Sequence, residues 1–305
     1  MRQGLVYATL ASCAWGLAFV GPLILLDWPG LAVASGRYVA YGIGSVLTLF
    51  ALARRGRARA NEPALWRDAT LLTLSGNLLY YVLLSVAVQR AGYVMPTLIV
   101  GLLPVTVSLF GRWRSRQPLT ARYLLALALI LVGLWLARTP GAAGPLANSH
   151  DYTIGVACAF GSLALWTVYG VVNGERMRLH RISSGLQWSS LQGAASLPFA
   201  LAMLSTTVPA QVPPSGWLRF VLICAVLGLI ASWAANTLWH RACQLLPASL
   251  LGPVIVTETI AGIVYGALWT GAWPSSKVLL GAAVLIIGIV VAVFERQAPP
   301  SRPKA

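Results

Sequence analysis

Long apolar stretches alternate with short polar loops along the whole chain, and ten such stretches can be distinguished. Each has about the 20 residues that a helix needs to cross a hydrocarbon layer about 30 Å thick. Because the stretches are continuously apolar, without the strict alternation of a membrane barrel, they predict helices rather than strands. The predicted spans are residues 4–26, 30–52, 69–89, 91–111, 119–137, 153–173, 184–204, 217–240, 246–270 and 276–294.

The last five spans repeat the pattern of the first five. The clearest match closes each half, where residues 122–133 align with residues 277–288 at a constant offset. The recurring residues are Leu124, Leu125, Ala128 and Gly133 in the first half and Leu279, Leu280, Ala283 and Gly288 in the second. Internal repeats of this kind are common in secondary transporters, whose substrate site lies at the repeat interface.

The join between the halves is the Gly-, Pro- and Ala-rich stretch 139–147. Five spans precede this stretch, so the second half enters the membrane in the opposite orientation. The sequence therefore predicts an all-α integral membrane protein with ten transmembrane helices in two inverted five-helix repeats. The predicted boundaries are 1–140 for the first repeat, 141–152 for an external connector, 153–297 for the second repeat and 298–305 for a cytoplasmic tail.

Composition supports a membrane protein. Hydrophobic residues make up 58% of the chain and charged residues 10%, and mean hydropathy is +0.75. Soluble globular domains have about 25% charged residues. A chain this apolar needs the lipid bilayer as its surroundings.

The net charge of +15 follows from topology, not from nucleic-acid binding. Of the 22 Lys and Arg residues, 17 fall in the tail and loops of one side, four fall on the other side, and Arg37 lies inside a span. An excess of Lys and Arg in short loops marks the cytoplasmic side, so both termini are predicted to be cytoplasmic and the first span to be retained rather than cleaved as a signal peptide. A nucleic-acid surface would be contiguous, whereas these clusters are separated by spans.

Polar and aromatic residues at helical spacing within spans are candidates for a cavity wall, because polar groups facing lipid are costly. The competing interpretation is packing between helices or anchoring at the interface. Aromatic faces and amides without many fixed charges suit an amphipathic small-molecule substrate. The candidate substrate-binding residues are Trp15, Asn77, Tyr80, Tyr81, Trp166, Tyr169, Asn236 and Trp239.

Two ionisable residues, Arg37 and Glu258, fall well inside spans and are functional candidates for that reason. They could pair with each other, Glu258 could couple transport to protons, or both could be structural. Prolines also recur in the fourth span of each half, and Pro104 and Pro253 lie near the middle of these spans. Bendable helices in corresponding positions favour hinges beside a transport site.

The chain resembles the drug/metabolite transporter superfamily, and within it the ten-span EamA-type proteins. The resemblance covers nearly the whole chain and rests on the order of several short motifs. These are the segment 13–16 (Cys-Ala-Trp-Gly), an Arg in the second span, Pro104-Val105 in the fourth, and the closing runs 124–133 and 279–288. The segment 164–169 with Asn173, and residues 233–236, are similar to YddG-type exporters of aromatic amino acids.

This resemblance implies a central cavity between the repeats, alternating access, export of amino acids or related metabolites, and a bacterial cytoplasmic (inner) membrane location. One departure concerns acidic residues, because many family members carry a Glu just after the fourth or ninth span. Residues 111–117 and 269–273 lack it, so that role is not transferred to Glu258. The sequence leaves the oligomeric state open, and a monomer is compatible with ten spans.

Other classes of function have weaker support. An enzyme needs a cluster of His, Asp, Glu or Cys, and the three histidines and four cysteines are scattered, so neither catalysis, a metal nor a cofactor is predicted. A channel would show a filter loop or charged ring. A proton-coupled exporter of drugs or quaternary amines shares the aromatic cavity and is the main alternative. Glu258 facing the cavity would favour it, whereas separate partners for a carboxylate and an amine would favour amino acids.

Overall fold

A computed structural model describes residues 1–56, 62–114, 116–138, 149–182, 184–208, 214–246 and 248–295, and these residues form helices joined by short turns, without strands. The first repeat contains α1 (Arg2–Ile24), α2 (Gly30–Arg54), α3 (Pro63–Ala91), α4 (Val94–Arg114) and α5 (Ala121–Ala137). The second contains α6 (Ser149–Leu179), α7 (Gly185–Thr207), α8 (Pro214–Ala225 continued by Val226–Ala234 and Ala235–Leu245), α9 (Ala248–Thr270) and α10 (Ser276–Phe294).

Eight of these ten helices are long and apolar enough to cross a membrane by length and composition, counted over the described residues. The other two are α5, which has 17 residues, and α7, which buries several Gln and Ser side chains. Both are paired with the equivalent helix of the other repeat, α5 with α10 and α7 with α2. The predicted all-α fold with ten spans is confirmed.

The packing is symmetric when the two halves are exchanged. α3 packs along α6, and its equivalent α8 packs along α1. Likewise, α4 contacts α6 and its equivalent α9 contacts α1. With five helices in each half, this pattern is the predicted inverted repeat. Of the predicted connector and tail, residues 141–148 and 298–305 lie outside the described residues.

Several helices extend past their predicted spans because polar residues at their ends are paired. α3 begins at Pro63 and α6 ends at Leu179, whereas the predicted limits were 69 and 173. Asp68 in α3 is buried and lies 2.9 Å from His180 Nε2 and 3.2 Å from Arg176 Nη1 at the end of α6. Such pairing offsets the cost of burying the Asp68 carboxylate.

Four helices depart from regular α geometry, and one of them is α1, which contains a 3₁₀ segment at Leu17–Phe19. α4 is interrupted between Val94–Val100 and Leu103–Arg114, immediately before Pro104, which has no N–H for the carbonyl four residues back. α3 and α8 each contain a wider π-helical segment, at Thr73–Leu79 and Val226–Ala234. The two segments occupy equivalent helices of the two repeats. π segments are frequent at functional sites because they re-aim side chains.

Candidate functional site

A cavity of about 950 Å³ extends from the middle of the bundle toward the end that carries the basic loops. Its walls come from α1, α4, α6, α8, α9 and α10. The outermost lining residues are Gly111, His240, Leu250 and Glu295, which all lie near the helix ends on that side. The size is at the upper end of the range for small-molecule pockets.

Stacked aromatic rings form the inner wall of this cavity. Trp166 is stacked between Tyr80 and Tyr169, with centroid distances of 4.9 and 4.8 Å. Trp15 meets Trp166 edge-on at 6.3 Å and lies 5.1 Å from Trp239. Trp166 and Tyr169 are three residues apart and therefore project from one face of α6. Such a wall offers apolar area and π faces to a ligand.

A buried amide network supports these rings. Gln192 Oε1 accepts hydrogen bonds from Asn77 Nδ2 (3.1 Å) and the Tyr169 hydroxyl (2.9 Å). Gln192 Nε2 donates to Asn173 Oδ1 (3.0 Å), which also accepts from Trp188 Nε1 (2.7 Å). The network fixes α3, α6 and α7 relative to one another.

A second, smaller pocket of about 20 Å³ lies at the inner end of the cavity, and we call it the deep pocket. Arg37 from α2 and Glu258 from α9 both line it, with exposed fractions of 5% and 7%. Trp15, Trp166 and Asn236 line both the cavity and the deep pocket and so form the wall between them. The remaining lining residues are Ala18, Tyr38, Asn77, Tyr80 and Ser232. Asn77 and Ser232 come from the two π segments.

The guanidinium of Arg37 is held by α8 and by the ring of Tyr81. Its Nε donates to Ser232 Oγ (2.8 Å) and its Nη2 to the Ala231 carbonyl (3.1 Å). Its centre lies 4.0 Å from the ring centroid of Tyr81. Nη1 is buried and has no hydrogen-bond partner among the described residues.

The carboxylate of Glu295 at the mouth of the cavity is engaged by protein groups. It accepts a hydrogen bond from Thr120 Oγ1 and lies 3.4 Å from Arg112 Nη2. Arg112 is itself buried against the Tyr123 ring. Within the described part of the chain, no three His, Cys, Asp or Glu side chains are grouped to hold a metal ion.

The opposite end of the bundle is closed. Trp28, in the loop after α1, stacks on Phe220 of α8 at 4.0 Å. Gln89 Nε2 donates to the Trp28 carbonyl at 2.9 Å. Asp27 and Arg219 form an ion pair beside this stack. The first and second repeats therefore meet tightly on this side, so the cavity is closed there.

The structure brings together most of the residues that the sequence singled out. Tyr81 is the exception, because it is fully buried beneath Arg37 and donates to the Ala18 carbonyl at 3.0 Å. Pro104 lines the cavity at the break in α4, whereas Pro253 lies inside an uninterrupted α9. The candidates that line the cavity or the deep pocket are Trp15, Asn77, Tyr80, Trp166, Tyr169, Asn236 and Trp239.

Sequence reasoning missed two contributions to the site. Gln192 is a polar residue within a span, so the rule that selected Asn77 would also have found it. The residues at the end of α10, Val293 and Phe294, are apolar and have no distinguishing pattern. Only the packing of α10 beside α4 shows that they reach the cavity.

Comparisons with known proteins match this arrangement. The model of the EamA-like transporter family matches residues 2–139 and 153–294, one stretch in each repeat. The inner membrane protein YtfF of Escherichia coli (strain K12) is 35% identical over 320 aligned positions, covering 99% of this chain and 98% of that protein. A crystal structure of a protein with 18% identity superposes with a TM-score of 0.65 and covers 96% of each chain, which supports the fold.

Proposed function

The chain belongs to the EamA-like transporter family and is a membrane transporter, and from that premise we propose that it exports amino acids, aromatic and otherwise amphipathic, through the central cavity. The two repeats would alternate access to this cavity from one side of the membrane to the other.

The observation that carries the proposal is the chemistry of the cavity wall. Stacked Trp and Tyr rings supply apolar area, while Asn173 and Asn236 supply hydrogen-bonding amides. Of the described residues that line the large cavity, Glu295 is the one Asp, Glu, Lys or Arg, and it is already paired with Arg112. This wall suits a solute with an apolar body and a small polar group, and it does not suit a polyanion.

The side on which the cavity is open supports export as the proposed direction. The cavity opens toward the end with the basic loops, which the charge distribution assigns to the cytoplasm. The name of the E. coli relative supports an inner membrane location. We therefore propose that both termini are cytoplasmic and that the substrate enters from the cytoplasm.

A proton-coupled exporter of drugs or quaternary amines is the second candidate. Glu258 favours it, because a buried carboxylate on the wall of the deep pocket can attract a cation or carry a proton. Arg37 on the same pocket disfavours it, because a fixed positive charge repels a permanently cationic solute.

The experiment is counterflow in proteoliposomes that contain the purified protein. The solutes are L-phenylalanine, L-leucine, L-lysine, L-glutamate and the quaternary amine tetraethylammonium, each with and without a proton gradient. We expect saturable exchange of phenylalanine and leucine, whereas exchange of tetraethylammonium alone would establish the second candidate. The absence of amino-acid exchange by folded protein would contradict the proposal.

Two variants test whether the substrate is exchanged through the cavity. Trp166→Ala removes the central ring of the aromatic wall and should slow phenylalanine exchange by about tenfold or more. Trp113→Ala removes a Trp that is 74% exposed and lies outside the cavity, so its exchange should match that of the parent protein. Equal loss in both variants would show that the effect is general destabilisation.

A further inference from the structure

We infer that the deep pocket is a recognition site for the zwitterionic headgroup of an α-amino acid, with Arg37 binding the carboxylate and Glu258 binding the ammonium group. The inference rests on the proposed function and specifies which part of the substrate is selected. The amino-acid side chain would lie in the large cavity against the aromatic wall.

Arg37 has hydrogen-bonding capacity that the protein does not use. A guanidinium carries five N–H donors, and Arg37 directs Nε and Nη2 to Ser232 and Ala231. Nη1 is buried without a partner among the described residues, on a side chain that lines the deep pocket. A buried donor without an acceptor is unfavourable. A ligand carboxylate in the pocket would supply the missing acceptor with a charge-assisted hydrogen bond.

Glu258 supplies a carboxyl group to the same pocket, opposite in charge to Arg37 when it is ionised. Its side chain is 7% exposed and makes no hydrogen bond or ion pair with any residue in the described ranges. Arg37 and Glu258 are therefore not paired with each other, although both line one small space. Two buried opposite charges kept apart are costly unless something between them interacts with both. An α-amino acid carries its ammonium and carboxylate on one carbon and can do so.

The neighbouring groups fit this assignment. Asn77 and Asn236 also line the deep pocket and carry amide groups suited to an ammonium or carboxylate group. The Ser232 hydroxyl already donates to the Leu227 carbonyl and accepts from Arg37. Arg37 comes from the first repeat and Glu258 from the second. A bound zwitterion would thus connect the two repeats through charge, which a solute with a single charge cannot do.

The pocket must widen to admit the headgroup. Its volume of about 20 Å³ is enough for about one water molecule. The wall between pocket and cavity contains Trp15, whose Nε1 donates to Asn236 Oδ1 at 3.2 Å. A ligand amine or carboxylate can replace this hydrogen bond, so entry exchanges one polar contact for others. Selection then acts on the headgroup and tolerates different side chains.

The test uses analogues that remove one charge at a time. Counterflow of L-phenylalanine into proteoliposomes is inhibited with unlabelled L-phenylalanine, its methyl ester, which lacks the carboxylate, and N-acetyl-L-phenylalanine, which lacks the ammonium group. We expect each analogue to inhibit at least about tenfold more weakly than phenylalanine, because each loses a charged hydrogen bond in a buried site. L-leucine should inhibit within about tenfold of L-phenylalanine, because the side chain lies in the larger cavity.

Two variants test which residue binds the carboxylate of the substrate and which binds its ammonium group. Arg37→Gln should abolish the preference for phenylalanine over its methyl ester and keep the preference over the N-acetyl compound. Glu258→Gln should abolish the preference over the N-acetyl compound and keep the preference over the methyl ester. Asp68→Asn removes another buried carboxylate that lines neither the cavity nor the deep pocket, and both preferences should remain. A purely structural role of either residue would lower transport without changing these ratios.

The outcomes separate the two proposals. Amino-acid exchange in which the ester and the N-acetyl compound inhibit as well as phenylalanine would overturn the headgroup site and leave the proposed function standing. An ester that inhibits as well as phenylalanine, with a weak N-acetyl compound, would also overturn it in favour of amine recognition by Glu258 alone. No exchange of any amino acid would overturn the proposed function, and the headgroup site with it. Since the parent protein alone gives the analogue ratios, the test does not depend on the variants folding.

Discussion

At the scale of single residues, the polar groups buried between helices determine how the site is held. Gln192 is the clearest case, because one side chain accepts from Asn77 and Tyr169 and donates to Asn173. An apolar replacement would leave the buried Tyr169 hydroxyl without its acceptor and would remove one hydrogen bond each from Asn77 and Asn173, which keep their bonds to Thr73 and Trp188. A buried polar group without a partner costs about 1 to 3 kcal/mol.

We predict that Gln192→Leu destabilises the protein by about 3 kcal/mol and lowers its melting temperature in detergent. Gln187→Leu is the matched control, since Gln187 lies on the same helix, is also buried and has no side-chain hydrogen bond to a described residue. The control should melt close to the parent protein. Similar losses in both variants would contradict the structural role of the network.

The residues of the site were largely predictable because lipid makes polar groups costly. Asn77 and Trp166 stand out in the sequence since each belongs to a stripe at helical spacing, and polar residues in such a stripe favour the bundle interior. The position of Tyr81 was not predictable in the same way. Spacing gives the face of a helix but not its rotation against the neighbouring helices, and Tyr81 faces Arg37 instead of the cavity.

At the scale of helices, the interruption of α4 sets the shape of the cavity wall. The break separates Val94–Val100 from Leu103–Arg114, and Pro104 follows it directly. Pro104 itself lines the cavity. A break of this kind gives the helix a point about which it can bend when the cavity closes.

We predict that Pro104→Ala slows exchange several-fold, because an alanine at this position supplies the N–H that allows the two parts of α4 to join into one stiffer helix. Pro96→Ala is the control. Pro96 lies in the first turn of Val94–Val100, where a backbone N–H has no partner within the helix. Exchange rates of the two variants in proteoliposomes test this, and equal rates would show that the break is not a hinge.

Small residues make the contact between α5 and α10 close. A Cβ added at Gly133 would lie 2.6 Å from the Leu285 backbone nitrogen and 2.7 Å from the Gly281 carbonyl oxygen. Gly288 similarly approaches the Ala126 carbonyl. Gly133 and Gly288 are also the recurring glycines that reveal the repeat, so the strongest repeat signal marks the crossing of two equivalent helices.

We predict that Gly133→Ala costs about 1 to 3 kcal/mol, because backbone atoms of α10 cannot move aside as a flexible side chain does. Gly174→Ala is the control, since a Cβ there meets nothing within 4 Å and Ala favours a helix. Thermal melting in detergent should therefore fall for Gly133→Ala and stay level or rise for Gly174→Ala. A fall in both would show that the crossing is not the cause.

The number and positions of the helices could be predicted from the sequence, whereas their local geometry could not. Apolar length alone locates all ten helices, with ends that differ from the predicted limits by at most about six residues. The π segments at Thr73–Leu79 and Val226–Ala234 have no residue signature, because they arise from how the backbone hydrogen bonds adjust to neighbouring helices. These segments supply Asn77 and Ser232 to the deep pocket, and spacing pointed to Asn77 but not to Ser232.

At the scale of the whole molecule, the orientation in the membrane is a prediction from loop charge that labelling can check. We introduce single cysteines at Arg178 and Lys277 in a variant whose four native cysteines are replaced. Both positions are exposed and lie at opposite ends of the bundle. A membrane-impermeant maleimide should label Lys277→Cys in right-side-out vesicles and Arg178→Cys in inverted vesicles. The opposite result would invert the assigned topology.

The closure formed by Trp28, Phe220 and the Asp27–Arg219 pair has a kinetic consequence. If the carrier without substrate rests with this side shut, most molecules can bind substrate from the cytoplasmic side. The apparent affinity for substrate on the shut side then falls in proportion to the small fraction of molecules that are open there. A passive carrier must keep the same ratio of maximal rate to half-saturation concentration in both directions. Transport from the cytoplasmic face would therefore have a low half-saturation concentration and a low maximal rate. Transport from the outer face would have a high half-saturation concentration and a high maximal rate. A carrier of this kind exports solute at a steady rate even when the cytoplasmic substrate concentration is low, and its rate does not rise further as that concentration becomes high.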